Sequence, residues 1–358
     1  MTTEVCNGNI NSSWKNGVVL ISGAGLIGLT IAHMLEKLSI PYSIYDRDEN
    51  ENFRGQGWGI TLHWALEDFL SLLPAELHKD IYESEVLENF HMKDTGNFMF
   101  INAGTGETVV RIPPTKRLRV RREGIRKTLL KDMNVHWGCE AESVEINQDA
   151  SDVNKRVSVT FHNGKTLQGG MFIDCEGRSS LTRKLANPEH PEACTLPYKF
   201  VGSIVELTPE EYHALAAKYD PLLFQGTIPS SGTFFWFSLL SSPTHNGTSN
   251  YKCQVNISWK LADGVANLPF ASVKEAFAEV SKRTTGLHES LVVLRDKLLK
   301  TGEKDYMELC LGDWPFAEWD DYNGLLLLAG DAAHAMVMYR GEAANHGIAD
   351  AKLLEGLL

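Results

Sequence analysis

The stretch from Gly17 to Thr30 decides the fold, and it reads Gly-Val-Val-Leu-Ile-Ser-Gly-Ala-Gly-Leu-Ile-Gly-Leu-Thr. Its first half is β-branched and aliphatic, as in a buried strand, and an apolar helical spacing continues beyond the last glycine. Between them, Gly23 permits a tight turn, Gly25 lets a pyrophosphate approach the backbone, and Gly28 lets the helix pack closely on the strand. The N–H groups at the helix N-terminus would face the phosphates. The stretch therefore predicts the first strand–turn–helix unit of a dinucleotide-binding fold.

The next predicted strand, Tyr42 to Tyr45, strengthens this interpretation because an acid follows it. Asp46 lies close to the place where such folds bind the ribose hydroxyls with a carboxylate. Arg47 comes directly after it and is a further cofactor-binding candidate. A glycine triplet alone is weak evidence, but strand, turn, helix and acid together favour a dinucleotide site over a tight turn that binds nothing.

Composition limits the possible classes of protein. A length of 358 residues suggests about two domains. The formal net charge of −12 argues against a general nucleic-acid binder and against binding to an anionic membrane surface. The six cysteines are scattered without metal-ligand spacing, so we predict no metal site and expect free thiols in a reducing, cytoplasmic compartment. A dense basic cluster is formed by Arg117, Arg119, Arg121 and Arg122.

The beginning of the chain has no targeting pattern. Residues 1–13 are predicted to form a flexible polar tail, because they lack the apolar segment of a signal peptide. No apolar run approaches the roughly 20 residues that span a bilayer. The chain stops at Leu358 inside a predicted helix, so we expect more residues after it. A C-terminal anchor and the oligomeric state stay open.

Two kinds of patterning divide the chain. Residues 186–300 contain several strand-like segments and predict a sheet-rich second domain, which the 90–112 hairpin is expected to join. Residues 301–358 return to the α/β pattern of the first unit. There a buried strand ends in Gly330-Asp331, and a glycine-containing loop from Tyr339 to Gly347 opens another helix. The N-terminus of that helix could again bind an anionic group.

Three separated motifs together resemble the group A flavoprotein monooxygenases of the para-hydroxybenzoate hydroxylase type, most closely fungal members similar to salicylate hydroxylase. The motifs are the glycine turn with Asp46, the Arg-x-x-Ile-Arg-x-x-Leu sequence from Arg122, and Gly330-Asp331. The resemblance implies a discontinuous Rossmann-like FAD-binding domain, residues 14–185 plus 301–358. A sheet-rich substrate domain, residues 186–300, would be inserted into it.

The resemblance also implies which residues bind FAD. The glycine turn and Asp46 would hold the ADP half, Arg122 would contact FAD, and Asp331 would hold the ribityl and ribose region. Backbone N–H groups of the 341–345 loop would face the flavin pyrimidine, where they stabilise negative charge on the reduced ring. The full set of predicted cofactor-binding residues is Gly23, Gly25, Gly28, Asp46, Arg47, Gly59, Arg122, Glu176, Gly330, Asp331, Gly341, Ala343, Ala344 and Asn345.

The sequence departs from the family pattern at a few positions. The Asp-Gly motif near the middle of the chain is Glu176-Gly177 here, which keeps the charge on a side chain one methylene longer. Prolines that often follow the Gly-Asp motif are replaced by Ala335 and Met338, and the second glycine of the flavin loop is Ala343. These departures concern loop geometry and the use of NAD(P)H rather than FAD binding.

The mechanism implied by the resemblance is oxygen transfer. NADPH or NADH reduces FAD, O2 adds to give a C4a-hydroperoxyflavin, and its distal oxygen passes to an electron-rich small molecule by hydroxylation or epoxidation. Aromatic, polyketide and alkaloid secondary metabolites all stay open as substrates. The cofactor carries the chemistry, so no protein nucleophile is required. His63, Trp236 and Tyr339 are candidates on the substrate side, with packing as the alternative for each.

Two other kinds of function compete with this one. Another FAD oxidoreductase could use the same fold, although the sequence lacks the Trp-x-Trp-x-Ile-Pro of halogenases and a second complete glycine triplet of the two-dinucleotide type. A non-catalytic binding protein, like the prenyl-GTPase carriers, could also keep the fold. Asp46, Arg122 and Gly330-Asp331 argue against the second alternative.

Overall fold

The structure is a computed structural model that describes residues 17–53, 57–94, 98–112, 116–315 and 318–358. The predicted tail at residues 1–13 lies outside the described residues. The strands are β1 (Val19–Ser22), β2 (Tyr42–Tyr45), β3 (Gly59–Leu62), β4 (Phe98–Asn102), β5 (Glu107–Ile112), β6 (Leu118–Arg121), β7 (Val135–His136), β8 (Ala141–Ile146), β9 (Val157–Phe161), β10 (Thr166–Gly169), β11 (Met171–Asp174), β12 (Cys194–Thr195), β13 (Tyr198–Leu207), β14 (Leu223–Ile228), β15 (Thr233–Ser241), β16 (Tyr251–Lys260), β17 (Tyr306–Glu308), β18 (Gly312–Asp313) and β19 (Leu326–Leu328).

The helices follow the boundaries that the sequence marks. The helix that follows Ala65 ends before Pro74, and the last helix begins directly after Glu342. The helices are α1 (Leu26–Lys37), α2 (Leu66–Leu72), α3 (Ala75–Glu83), α4 (Arg122–Leu129), α5 (Arg183–Ala186), α6 (Pro209–Lys218), α7 (Pro243–Asn246), α8 (Val273–Arg283), α9 (Glu289–Leu298), α10 (Asp331–His334) and α11 (Ala343–Leu357).

A parallel sheet of five strands, in the order β19-β11-β1-β2-β7, carries the glycine turn. Strand β1 pairs with β11 on one side and with β2 on the other, so Ser22 lies between Asp174 and Tyr45. Both faces of β1 are buried: Val19 and Ile21 pack with α1, α4 and α11, whereas Leu20 packs toward the β10-β9-β8 sheet. Burial on both faces explains why β1 reads as a continuous apolar run.

A seven-stranded mixed sheet, in the order β17-β13-β16-β15-β14-β4-β5, forms the second large layer. Its pairs are antiparallel except β14 with β4. One face is apolar and packs on α6, α8 and α9 through residues such as Phe224, Phe237 and Val255. Because side chains alternate along a strand, their neighbours Gln225, Trp236 and Asn256 project from the opposite face.

The predicted substrate sheet takes strands from several parts of the chain. The 98–112 hairpin supplies β4 and β5 at one edge, and β17 from the C-terminal part supplies the other edge. The division into an FAD-binding and a substrate domain stays a prediction. Among the described helices, none is both long and apolar enough to cross a membrane. In the same residues, no three His, Cys, Asp or Glu side chains group as metal ligands.

Candidate active site

A cavity of about 1170 Å³ runs between the parallel sheet and the seven-stranded sheet. At one end it is lined by the turn after β1, the ends of β2 and β11, and the loops around Gly330 and Gly341. At the other end it is lined by β14, β15 and β16. Its volume exceeds the roughly 300–1,000 Å³ usual for a single small-molecule site. The cavity therefore has room for a large cofactor together with a second molecule.

Two of the three glycines of the turn are required by the local packing, and the third faces open space. Gly23 has a φ of +103°, and a Cβ there would lie 2.4 Å from the Cys175 carbonyl oxygen. A Cβ on Gly28 would lie 1.9 Å from the Gly23 carbonyl oxygen, so only glycine lets α1 pack this closely. Gly25 is different, because a Cβ there would meet no atom within 4 Å. Gly23 and Gly25 line the cavity, whereas Gly28 lies behind it in the packing.

The Asp46 carboxylate closes the turn. Its Oδ2 accepts a hydrogen bond of 2.7 Å from the Ala24 backbone N–H, and its Oδ1 accepts one of 2.8 Å from the Asp48 N–H. Asp46 is buried and lines the cavity, and the exposed Arg47 beside it lines the cavity too. Asp46 thus has a structural role in the turn, in addition to the ribose contact that the sequence predicts.

Glu176 projects into the same end of the cavity from the loop after β11. Its Oε1 accepts a hydrogen bond from Ser22 Oγ, at the end of β1. Burial, followed by the charge of Asp174, raises the Glu176 pKa from 4.5 to about 7, although the hydrogen bond from Ser22 opposes the shift. The carboxyl group therefore titrates near neutral pH, which disfavours a solvated acid on a surface loop.

Asp174 organises this loop, and sequence reasoning missed it. The carboxylate is fully buried and accepts hydrogen bonds from the Glu176 backbone N–H at 2.8 Å, from Ser180 Oγ at 2.6 Å and from Thr182 Oγ1. Three donors to one buried carboxylate fix the path of residues 176–182. The signal in the sequence was an acid at the end of a buried strand with hydroxyl residues just downstream.

Arg183 joins the Glu176 loop to the Gly330-Asp331 loop. Its guanidinium donates to the carbonyl oxygens of Gly177, Arg178, Asp331 and Ala332 at 2.7–3.0 Å. It also lies over the Trp314 ring, 5.3 Å from the ring centroid. Burial lowers the pKa of the guanidinium, partly offset by the charges of Asp174 and Asp331. Two loops that are about 150 residues apart in sequence are thereby fixed against one another.

The Gly330-Asp331 motif turns sharply at the end of β19. Gly330 has a φ of +62°, and its N–H donates to Asp350 Oδ2 at 2.8 Å, which also bonds His334 Nε2 at 2.7 Å. Asp331 lines the cavity, and burial raises the pKa of its carboxyl group against the opposing charges of His334, Arg183 and Arg122. The motif therefore presents a carboxyl group to the cavity on a braced turn.

The arginine cluster does not act as one basic surface. Arg117 is buried and pairs with Asp94 at 2.6 Å and with Asp220 at 2.9 Å. Arg119 is buried and donates to Leu239 O at 3.1 Å and to Thr61 Oγ1 at 2.8 Å. Burial lowers the Arg119 pKa to about 10. Both line the cavity. Arg122, at the start of α4, also lines it, whereas Arg121 donates to the Glu83 carbonyl oxygen.

The loop that opens α11 lies against the cavity at Gly341, Ala343 and Ala344. Asn345 has another position: its side chain is fully buried, donates to Thr61 O and accepts from the His63 backbone N–H, both at 3.0 Å. The Asn345 side chain therefore fastens β3 to α11, and it does not line the cavity. Gly59 of β3 lines the cavity and is held close to the Arg119 side chain.

The three substrate-side candidates separate in the structure. Trp236 lines the cavity from β15. His63 also lines it, with Nε2 at 3.5 Å from Glu342 Oε2, and burial lowers its pKa against the charge of Glu342. Tyr339 does not line the cavity. Its hydroxyl donates to Ser258 Oγ at 2.9 Å and its ring packs on Phe234, which agrees with the alternative that this residue has a packing role.

The polar residues on the cavity face of the large sheet are a further set that sequence reasoning missed. They alternate along three adjacent strands, and their only signal in the sequence was polar residues within strand-like segments. The set is Gln225, Ser238, Gln254 and Asn256.

Comparison with known proteins identifies the family. The FAD-dependent monooxygenase dbaB of Emericella nidulans is 36% identical over 349 residues, which cover 94% of this chain and 85% of that protein. The FAD-dependent monooxygenase tazP of Aspergillus terreus is 31% identical over 381 residues, 96% of this chain and 89% of that protein. No protein-family sequence model matches the chain. The chain belongs to the FAD-dependent monooxygenases.

The solved structures agree on the fold. Klebsiella pneumoniae HpxO complexed with FAD and uric acid superposes with a TM-score of 0.70 at 16% identity, over 97% of this chain and 81% of that one. The predicted family, the α/β fold class of the para-hydroxybenzoate hydroxylase type and an oxidoreductase function are confirmed. The relatives named are fungal, and an enzyme is favoured over the non-catalytic binding protein.

Proposed function

We propose that this FAD-dependent monooxygenase uses NADPH or NADH and O2 to hydroxylate or epoxidise an electron-rich small molecule of fungal secondary metabolism. The observation that supports this proposal is a continuous cavity, which joins the glycine turn to the polar face of the large sheet. One end has the features of a dinucleotide site, and the other end can hold a second small molecule beside it. The scattered cysteines support a reducing, cytoplasmic location.

The residues at the glycine turn fit the ADP half of FAD. Gly25 has no Cβ, and the space where a Cβ would lie is open for 4 Å. A pyrophosphate could therefore reach the backbone at the N-terminus of α1. That helix begins without a side-chain cap and without an acid in its first turn, so its N–H groups stay open to an anion. Asp46 and Arg47 lie beside the turn, where Asp46 would bind the ribose and Arg47 a phosphate.

The remaining predicted residues would hold the rest of FAD. Asp331 and Arg122 line the cavity between the turn and the sheet, and Gly341, Ala343 and Ala344 present the N-terminus of α11 to it. Arg183 fixes the loop that contains Glu176 against the loop that contains Asp331, because it donates hydrogen bonds to both. The protein thus supplies binding, orientation and exclusion of water. When bound, FAD would supply the redox chemistry of the reaction.

Among the described residues, Glu176 is one of two cavity-lining carboxyl groups whose pKa burial raises, the other being Asp331. Its pKa of about 7 means that protonated and ionised forms are both populated at neutral pH, with Ser22 Oγ as the hydrogen-bond partner of Oε1. We infer a positioning or charge role in flavin reduction rather than in FAD binding. A carboxyl group with a perturbed pKa inside a cavity is a reasonable functional candidate.

The test begins with the purified protein. Its visible spectrum should show a flavin, and the flavin released on denaturation should be FAD. NADPH and NADH are then compared by anaerobic reduction of the bound flavin, and O2 uptake is measured with a panel of phenolic and polyketide compounds. A colourless protein, or a flavin that neither nicotinamide reduces, would contradict the proposal.

A further inference from the structure

A pair of side chains behind the cavity holds the turn at Gly330-Asp331. One oxygen of Asp350, Oδ2, accepts a hydrogen bond from the Gly330 backbone N–H at 2.8 Å and another from His334 Nε2 at 2.7 Å. Asp350 lies on α11, and His334 is the last residue of α10. Of these four residues, Gly330 and Asp331 line the cavity. Asp350 and His334 can therefore act on a cofactor through the turn rather than by contact.

The backbone of this turn has a conformation that its surroundings must maintain. Gly330 has a φ of +62° and a ψ of −140°, close to a region that glycine adopts and other residues rarely do. The turn packs tightly: a Cβ on Gly330 would lie 3.1 Å from Ile27 of α1, and a Cβ on Gly347 of α11 would lie 3.2 Å from the Gly330 Cα. The hydrogen bond from Gly330 to Asp350 therefore helps to fix where Asp331, the next residue, points its carboxyl group.

The His334 imidazole interacts with both carboxyl groups. Burial lowers the His334 pKa, but the hydrogen bond to Asp350 and the charges of Asp350 and Asp331 outweigh burial and raise it above 6.5. In return, His334 has the largest of the charges that oppose the effect of burial on the Asp331 pKa. Other charged or titratable groups act on the same turn from neighbouring elements, three of them on Asp331 and one as a ring 5.9 Å from that of His334: Arg183, Arg122, Arg178 and His346.

We propose that His334 and Asp350 are positioning residues for FAD: Asp350 fixes the Gly330 turn, and the imidazolium of His334 keeps the Asp331 carboxyl group ionised. An ionised carboxylate accepts hydrogen bonds from hydroxyl groups of the cofactor, whereas a protonated one gives up part of this capacity. The inference rests on the proposed function, in which Asp331 binds FAD. It extends that function to two residues outside the cavity lining, and it makes FAD affinity depend on the charge of His334.

His334→Gln removes the charge and keeps an N–H donor close to the position of Nε2. Apo protein is titrated with FAD between pH 5.5 and pH 8.5, and binding is followed by flavin fluorescence. Without the opposing charge the Asp331 pKa rises by about one unit, so the loss of FAD affinity on acidification should begin at a higher pH. We expect binding to weaken up to about tenfold at pH 5.5 and to change less than about twofold at pH 8.5. Glu176 is present in both proteins, so its own titration cancels in the comparison.

A double-mutant cycle tests whether His334 acts through Asp331. Asp331→Asn has no charge for the imidazolium to stabilise, so adding His334→Gln to it should leave the FAD dissociation constant unchanged. A merely structural role of His334 would weaken FAD binding in both backgrounds and at every pH. His346→Gln is the matched control, because His346 is an exposed histidine beside His334 that does not line the cavity.

Two measurements on apo protein do not need the cofactor. Because the His334 pKa is raised on folding, the contribution of its charge to the free energy of unfolding is fully present below about pH 6.5 and is lost as the pH rises through the folded pKa. His334→Gln should therefore lower the thermal midpoint more at pH 6 than at pH 9. The coupling is also reciprocal. In the NMR spectrum of apo protein, one histidine ring should titrate above pH 6.5 and move to lower pH in Asp331→Asn, a test that does not require His334→Gln to fold.

Three results would overturn the proposal: FAD binding in His334→Gln that equals the parent protein at every pH, an equal loss at every pH, or no histidine ring that responds to Asp331→Asn. A failure of the proposed function looks different. It appears as Asp331→Asn protein that binds FAD as tightly as the parent protein, whatever His334→Gln does.

Discussion

The two ends of the cavity differ in how their polar groups are satisfied. At the glycine turn, Asp46, Asp174 and Arg183 make their hydrogen bonds within the protein and brace the loops around the cavity. On the cavity face of the seven-stranded sheet, the Ser238 Oγ has no hydrogen-bond partner among the described residues. The loops at the first end are therefore held in place by the protein's own hydrogen bonds, whereas the second end is positioned by the pairing of three strands.

The largest expected effect is on the packing of the glycine turn. Gly28→Ala should lower the free energy of unfolding by about 3 kcal/mol or more, because the new Cβ would lie 1.9 Å from a backbone carbonyl oxygen that cannot move aside cheaply. Gly25→Ala is the matched control: its Cβ meets no atom within 4 Å, so stability should hold while FAD binding weakens. Denaturant unfolding and flavin content measure the two effects. Equal losses of stability would contradict this account of the turn.

The next effect concerns pH and Glu176. The pKa of about 7 in the folded protein lies above the ordinary 4.5, so the folded state favours the protonated acid. The contribution of Glu176 to the free energy of unfolding is fully present below about pH 4.5 and is lost as the pH rises through about 7. This change in the free energy of unfolding amounts to at most roughly 3 kcal/mol. Glu176→Gln should therefore gain stability relative to the parent protein between pH 5 and pH 8.

Thermal unfolding of both proteins across this pH range gives the measurement. Glu189→Gln is a suitable control, because Glu189 lies outside the cavity lining on an exposed surface. A difference between Glu176→Gln and the parent protein that stays constant with pH would show that Glu176 does not titrate in this range.

A smaller effect, on the affinity for FAD, is expected from a substitution of Asp331. Asp331→Ala should remove a charge-assisted hydrogen bond to FAD worth roughly 1.5–3 kcal/mol, which weakens FAD binding about 10- to 150-fold and yields largely apo protein. Asp313→Ala is the control, since Asp313 on β18 does not line the cavity. Full flavin occupancy in Asp331→Ala, purified beside the parent protein, would show that this carboxyl group does not hold the cofactor.

The smallest expected effect separates two neighbouring arginines. Arg122→Lys should weaken FAD binding roughly fivefold, because lysine lacks the planar, multi-donor guanidinium. Arg121→Lys should leave FAD binding unchanged, because the Arg121 side chain donates to the Glu83 carbonyl and does not line the cavity. Titration of apo protein with FAD compares the two. Equal dissociation constants for both variants and the parent protein would remove Arg122 from the cofactor site.

Much of the cofactor end could be read from local sequence. The glycine spacing, the apolar run of β1 and the acid after β2 act within about 30 residues of one another, and backbone sterics permit few alternatives at Gly23 and Gly28. The Gly330-Asp331 turn and the loop that opens α11 were recognisable for the same reason. In each case a short segment alone determines its conformation.

The sheet end and the bracing of the loops were decided only by the tertiary structure. Asp174 and Arg183 acquire their roles from partners on separate elements, and Asn345 is fastened by β3, about 280 residues away in sequence. Ser238, Gln225 and Asn256 meet because three strands pair in one register, and register depends on how a whole sheet packs its apolar face on helices. Alternation in the sequence shows that such strands have two faces. Which face borders a cavity, and which polar groups there remain without a partner, depends on the packing of distant segments.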